Sequence, residues 1–312
     1  MEVHGPERPE ARTSSVEAEI DRLGYTTVAL LQPSEVTTLR EVFESGDVSL
    51  ESPITRTLSD STRQRASAID HDVKKLVAPH VEHVMPGHRA VVALFVHKAP
   101  GRGSPVAFHQ DWSLTDERHD RALMWWIALD DCSEGNGGLA VIPRSHRWTT
   151  GVRPHSTVSQ PTDPHQEILA SRAVQLEVPR GTAVIYHPGI VHGSPPNLSE
   201  RSRLVALVGT APRNSRLLHY FESPEGISGW EVNEGFYTDH EHGTTCTSLP
   251  AAELWGPVVR STDLERVLGV ASPRLSATTD PYQFVSAARR FLRATPRRLR
   301  NALQGFRGSV SP

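Results

Sequence analysis

The chain has 312 residues, of which 37% are hydrophobic and 22% charged, with a formal net charge of −3 at pH 7. This is ample for a buried core, and the near-neutral balance excludes a general attraction to nucleic acid or anionic membranes. Two cysteines, Cys132 and Cys246, exclude a disulfide framework and a thiolate metal site. No stretch approaches the roughly 20 apolar residues of a membrane span, and the polar opening MEVHGPERPEARTSS lacks the apolar heart of a signal peptide. A cytoplasmic enzyme or binding protein is expected.

Residues 1–15 read as disordered. Residues 24–31 (GYTTVALL) predict a strand, and 33–43 (PSEVTTLREVF) a helix with Val36, Leu39, Val42 and Phe43 on one face. Residues 48–66 are polar without a clear period and read as loop. Residues 69–84 (IDHDVKKLVAPHVEHV) predict a second helix, with Pro79 a candidate break. From residue 89 the texture changes to short apolar runs between turn signals: 89–98, 106–112, 121–131, 137–143, 173–179, 182–187 and 203–211. Many short strands after helices predict an antiparallel sandwich or barrel with helical cover.

Two segments stand apart. Residues 150–171 are long and carry little apolar pattern, which predicts a lid or binding loop. Residues 251–312 read as a helical, basic extension to a domain spanning 16–250. Within it no acidic residue follows Asp280, while Arg289, Arg290, Arg293, Arg297, Arg298, Arg300 and Arg307 accumulate. Phe284, Ala288 and Phe291 would share one helical face; Leu299, Leu303 and Phe306 would share another, after the Thr295-Pro296 cap. The plain expectation is helices packed on the domain with Arg facing solvent; the sharper one is a docking surface for an acidic partner or a membrane surface.

The stretch FHQDW (108–112) places an imidazole and a carboxylate two residues apart. In a strand, His109 and Asp111 leave the same face and Gln110 the other. Alone, such a pair is as well explained by a surface contact, or by an Asp orienting a His. Residues 182–208 (TAVIYHPGIVHGSPPNLSERSRLVALV) carry two further histidines, His187 and His192, at a strand end. Eleven residues after His192, Arg203 opens the next strand. An Arg projecting from an apolar strand toward a core must meet an anion, because burying it unpaired is prohibitively costly. His146 and His187 otherwise read as turn and strand-end residues.

His-X-Asp, a distal His followed by Gly-Ser, a nearby Asn-X-Ser and an Arg at +11 together resemble the phytanoyl-CoA dioxygenase family. So do the stretches at residues 24–43, WWIALDDCSEGNGGLAVIPRSH (125–146) and YHPGIVHGSPPN. The resemblance covers roughly residues 20–212. It departs at Arg144, where the family usually has Gly in the turn before Ser145-His146, which puts the local turn geometry in question.

That resemblance implies a double-stranded β-helix, the cupin-like jelly roll: mainly β with flanking helices. It implies Fe(II) held by His109, Asp111 and His192, with 2-oxoglutarate and O2 as cosubstrates, and His187 next in line as third ligand. Arg203 would grip the distal carboxylate of 2-oxoglutarate, with Ser194 a hydroxyl donor to it. Trp126 and, more weakly, Leu94 would line the cosubstrate. Gln110 and Trp112 flank the metal motif and are candidate substrate contacts, Trp112 with plain packing as its alternative. The implied activity is oxidation of a C–H bond of a small organic molecule, with succinate and CO2 as co-products. Hydroxylation is the simplest outcome; desaturation, ring closure and epoxidation stay open, and retention of Asp111 speaks against halogenation. The Arg-rich composition of a GC-rich genome and the C-terminal segment favour specialised-metabolite biosynthesis. A CoA- or carrier-bound acyl substrate, an inactive jelly-roll binding module and a Zn(II) hydrolase are the competing readings.

Overall fold

The computed structural model describes residues 9–46, 48–100, 105–156, 160–223, 226–240 and 251–270. The first part of the chain forms α1 (Pro9–Leu23), β1 (Tyr25–Ala29), α2 (Pro33–Glu44), β2 (Ile54–Arg56) and α3 (Arg63–Val84). Strands then dominate: β3 (His88–Lys98), β4 (Val106–His109), β5 (Leu123–Ala128), β6 (Ala140–Val141) and β7 (His155–Ser156). After α4 (Gln166–Arg172) come β8 (Val174–Gln175), β9 (Thr182–Tyr186), β10 (His192–Ser194), β11 (Arg203–Pro212), β12 (Leu217–Ser223) and β13 (Gly226–Val232). Two short helices follow, α5 (Phe236–Asp239) and α6 (Ser261–Leu268).

Two sheets carry the site. One has the order β1-β9-β5-β11-β3-β2 and the other β4-β10-β6-β8; a third, β13-β12-β7, stands beside them. Pairing in the first two is antiparallel throughout. This is the jelly-roll architecture that the family resemblance implied, and it agrees with the antiparallel layers that the strand count predicted.

The six-stranded sheet is covered on both faces, which is why its strands read as continuous apolar runs rather than alternating ones. On β5, Trp125 and Ile127 pack outward with Ala93, Phe95, Ala206 and Val208 beneath the helices. Their neighbours Met124, Trp126 and Ala128 point inward with Leu94, Tyr186 and Val205. The outer layer is sealed by Val36, Leu39 and Phe43 of α2, as the sequence predicted, and by Ile69, Val73, Val77, Val81 and Val84 of α3. That near-continuous i,i+4 stripe explains why α3 runs unbroken through Pro79: packing outweighs the hydrogen bond that a mid-helix Pro removes.

Several expectations are corrected. The helix α1 starts inside the segment read as disordered, and Val16 and Ile20 join the core. Residues 48–66 contain β2 and the start of α3. The described part of 150–171 is a fixed wall rather than a free loop. Its buried groups include Val152, Arg153, Thr162, His165, Gln166 and Leu169. The Gln166 amide clamps Phe108 from both sides, accepting from its N–H and donating to its C=O, each at 2.8 Å. Beyond position 250, Ala251 bridges to Trp230, Val258 bridges to Val152, and Leu264 and Leu268 pack with Phe108 and Leu169. The basic helices expected over 282–306, and Cys246, lie outside the described residues. Among those described, no helix is long and apolar enough to cross a membrane.

Candidate metal centre

Two strand ends meet at the centre. His192, the first residue of β10, is the register partner of His109, the last of β4. The approach is close because residue 193 is Gly: a Cβ there would lie 2.9 Å from the Val106 carbonyl oxygen and 3.2 Å from the Phe108 nitrogen. Asp111 follows one residue after Gln110, with its N–H bonded to Pro188 O at 2.9 Å. Its Oδ1 lies 3.6 Å from His109 Nε2 and 3.8 Å from His192 Nε2. Donor atoms of all three residues fall within 4.8 Å of one another. Both carboxylate separations are under twice a metal–ligand bond of about 2.1 Å, so an ion fits between these atoms.

The neighbours fix which atoms face inward. The His109 Nδ1 bonds Ala107 O at 2.9 Å, and His192 Nδ1 bonds Ile190 O at 3.1 Å. A carbonyl only accepts, so both rings carry their proton on Nδ1 and turn the Nε2 lone pair to the centre. The Tyr186 hydroxyl donates to Asp111 Oδ2 at 3.0 Å, leaving Oδ1 for the ion. Arg153, in a buried ion pair with Glu117, donates from Nε to the Asp111 carbonyl at 2.8 Å. Burial alone would raise the Asp111 carboxyl, but His192, His109 and the Tyr186 hydroxyl outweigh it and hold it at about 2. Burial, reinforced by His109, pushes the His192 imidazole down to about 4. A carboxylate at Asp111 and a neutral imidazole at His192 are, at neutral pH, the ligand forms a metal requires. The side chain of His109 is 30% accessible and that of His192 only 6%, so the centre opens on one side.

At one end of the six-stranded sheet three cations share the inward parity, Arg203 and Lys98 buried and Arg56 exposed at the edge strand. Arg203 shares the inward parity of Val205 and pairs in register with Lys98 of β3; Arg56 of β2 pairs with Val96 on the same face. Arg203 is 2% exposed, its Nε has no hydrogen-bond partner among the described residues, and its guanidinium lies 5.4 Å from the Trp126 ring centroid. Burial lowers it to about 10, still far above neutrality, so it stays charged. An orphaned, buried guanidinium on an aromatic wall fits a carboxylate ligand. Arg201, by contrast, is exposed.

The structure thus brings His109, Asp111 and His192 together, and places Arg203, Ser194, Trp126 and Leu94 among the inward-facing groups of the two sheets. It does not bring in His187, whose Nδ1 accepts from Gly189 N–H at 2.9 Å and whose ring packs on His146. The Gln110 amide is turned away from the centre, donating to Gly189 O at 2.5 Å and to Thr149 at 3.3 Å. Trp112 meets His155 edge-on, ring centroids 5.0 Å apart, and packs on the inner core. Sequence reasoning missed Tyr186, Arg153, Arg56 and Lys98. A Lys closing an otherwise apolar run, VVALFVHK, was the available signal for the last.

A His-X-Asp…His centre inside a jelly roll, facing a buried guanidinium, defines the non-haem iron class of site. The family model for phytanoyl-CoA dioxygenase (PhyH) matches residues 11–205, and the chain belongs to that family. A "Probable alpha-ketoglutarate-dependent hypophosphite dioxygenase" of Stutzerimonas stutzeri is 35% identical over 120 residues, and the phytanoyl-CoA dioxygenase domain-containing protein 1 of Bos taurus is 40% identical over 123. Each alignment covers 36% of this chain and 41% of the relative, so the chain spans well under half of either relative's length. Among solved structures, the epimerase SnoN in complex with Fe3+, alpha-ketoglutarate (2-oxoglutarate) and nogalamycin RO has a TM-score of 0.54 at 17% identity, covering 78% of this chain and 96% of that one. The carbocyclase SnoK from nogalamycin biosynthesis has a TM-score of 0.51 at 20% identity, covering 69% and 89%. Both share the fold.

Proposed function

We propose that this protein is an Fe(II)/2-oxoglutarate-dependent oxygenase that oxidises a C–H bond of a small organic molecule, most simply by hydroxylation, in specialised-metabolite biosynthesis. The observation that carries the proposal is the pairing of a three-ligand centre with a buried Arg203 whose Nε has no partner among the described residues. A hydrolytic metal site has no use for that guanidinium, and an inactive binding module has no use for the intact trio. His109, Asp111 and His192 would hold the iron on one face, leaving three positions of an octahedron free for cosubstrate and oxygen. Bound there, iron with 2-oxoglutarate and O2 supplies the oxidising power, releasing succinate and CO2.

The chain's own residues bind, orient and exclude. Tyr186 holds Asp111 Oδ2, which restricts the carboxylate to one coordinating oxygen. Arg203, with Ser194 beside it, would receive the far carboxylate of 2-oxoglutarate, while Trp126 and Leu94 wall its chain from water. Solved structures of this architecture from nogalamycin biosynthesis, one of them in complex with nogalamycin RO, support an organic small-molecule substrate, which we extend to this chain as a substrate class. Protein stripped with a chelator should regain 2-oxoglutarate-dependent succinate formation with Fe(II) and not with Zn(II). Equal restoration by both metals would defeat the oxygenase reading.

A further inference from the structure

Lys98 is 1% exposed, and burial together with the nearby Arg203 and Arg56 charges pushes its ammonium well below the ordinary lysine range. An ammonium in such a place, facing two further cations, is costly unless an anion joins it. The surrounding chain is nevertheless shaped to keep it there. Its Nζ donates to Ser194 Oγ and to Pro195 O, each at 2.5 Å. Gly137, at φ +74°, leaves the room: a Cβ there would lie 3.0 Å from both Lys98 Cδ and Nζ and 2.8 Å from Pro195 O. The Asn197 amide ties the Lys98 carbonyl, at 3.3 Å, to that of Arg201, at 2.8 Å. The GNGG turn, too generic in sequence to assign, is one wall of this cradle.

We propose that Lys98 is a positioning residue for the cosubstrate and acts through Ser194; this rests on the 2-oxoglutarate reading above. Lys98 Nζ donates both to Ser194 Oγ and to Pro195 O, and the second of these can only accept. Because Lys98 donates to Ser194 Oγ, the Ser194 proton must be offered elsewhere. The anion gripped by Arg203, which lies across the strand pair from Lys98, is the partner that needs it. Lys98 therefore converts an ambivalent hydroxyl into a fixed donor, and the pocket demands a carboxylate at the far end of the 2-oxo acid.

The test is calorimetric binding of 2-oxoglutarate and of 2-oxopentanoate, which has a methyl in place of the distal carboxylate, to protein loaded anaerobically with Fe(II). Lys98→Met, which keeps chain length, and Ser194→Ala should each weaken 2-oxoglutarate roughly ten- to a hundredfold, the worth of a hydrogen bond to a charged group. Neither should change 2-oxopentanoate affinity. The double variant should bind 2-oxoglutarate no more weakly than Ser194→Ala, since both changes remove one interaction. Lys98→Gln, a neutral donor of milder change, should fall between wild type and Lys98→Met. Losses that multiply in the double variant, equal losses for both ligands, or no loss in Lys98→Met would overturn the proposal while leaving the cosubstrate reading intact. Failure of the unmodified protein to bind 2-oxoglutarate would instead sink that reading, and this proposal with it.

Discussion

Replacing Arg203 by Ala tests how the cationic end of the barrel is used. The guanidinium is 2% exposed and rests on Trp126, so it can serve a ligand only from inside the barrel. Truncating one member of a buried, hydrogen-bonded charge pair costs about 2–5 kcal/mol. Lys98 and Arg56 remain in Arg203→Ala, sharing the inward parity at the same end, which places the loss toward the lower half of that range. At about 1.4 kcal/mol per decade, 2-oxoglutarate binding should weaken by roughly thirty- to a few hundredfold. Arg203→Lys should recover part of this, restoring charge without the planar fork. Fe(II) affinity should hold, since the guanidinium is not among the three ligands. The free protein should melt no lower, because the variant removes a buried cation that has no carboxylate paired with it among the described residues. Titration of 2-oxoglutarate by calorimetry, with parallel Fe(II) titration and thermal melts, reads all three. Normal 2-oxoglutarate affinity in Arg203→Ala, or a variant that loses several kcal/mol of stability, would show that Arg203 is a structural residue.

Tyr186→Phe frees Asp111 Oδ2, and Fe(II) affinity should fall ten- to a hundredfold, on the order seen when a ligand's hydrogen-bond partner is removed; an unchanged Fe(II) titration would refute the strut. Arg144 holds φ 69°, the only positive φ at a non-glycine residue among those described. That conformation costs an L-residue about 1–2 kcal/mol, and Gly's own entropy cost of about 0.5–1 kcal/mol offsets part of it. Arg144→Gly should therefore raise the melting temperature by roughly 1–3 °C, and a lower value would refute this. Burial, with Arg153 next in importance, pushes His187 down to about 3. Its folded value lies below its unfolded one, so the unfolded chain binds the extra proton and stability falls as pH drops below about 6.5. At pH 5 the 1.5-unit gap is worth about 2 kcal/mol. His187→Asn, which keeps an acceptor for Gly189 N–H, should flatten the decline in melting temperature between pH 7 and 5; an unaltered slope would assign the acid sensitivity to other groups.

The sequence was most legible where one local rule set the outcome. Short apolar runs between turn signals gave the strands, and the face of α2 followed from Val36, Leu39, Val42 and Phe43. His109 and Asp111 do converge, but not by the strand parity expected, since β4 ends at His109 and Asp111 is set by its bond to Pro188 O; Arg203 was legible from the cost of an unpaired buried charge. Arg144 was flagged by its position in the family pattern, and the structure shows the left-handed backbone that favours Gly there. What was missed depends on partners distant in sequence. Tyr186 reaches Asp111 across 75 residues, and Lys98 reaches Ser194 across 96; neither spacing leaves a local trace. Residues 150–171 looked like a lid because what they bury is largely polar. Arg153, Thr162, His165 and Gln166 are held by hydrogen bonds and an ion pair that a hydrophobic pattern does not register. Pro79 is a candidate break on propensity alone, whereas the Val77 and Val81 contacts that hold the helix together across it are tertiary.

The central claim is that His109, Asp111 and His192 hold Fe(II) so that 2-oxoglutarate chelates it. It is tested most directly by the visible spectrum of anaerobic protein given both. The predicted result is a weak charge-transfer band that requires Fe(II) and 2-oxoglutarate together and is lost in His192→Ala. No band in the unmodified protein at saturating Fe(II) and 2-oxoglutarate, or a band of full strength in His192→Ala, would contradict it.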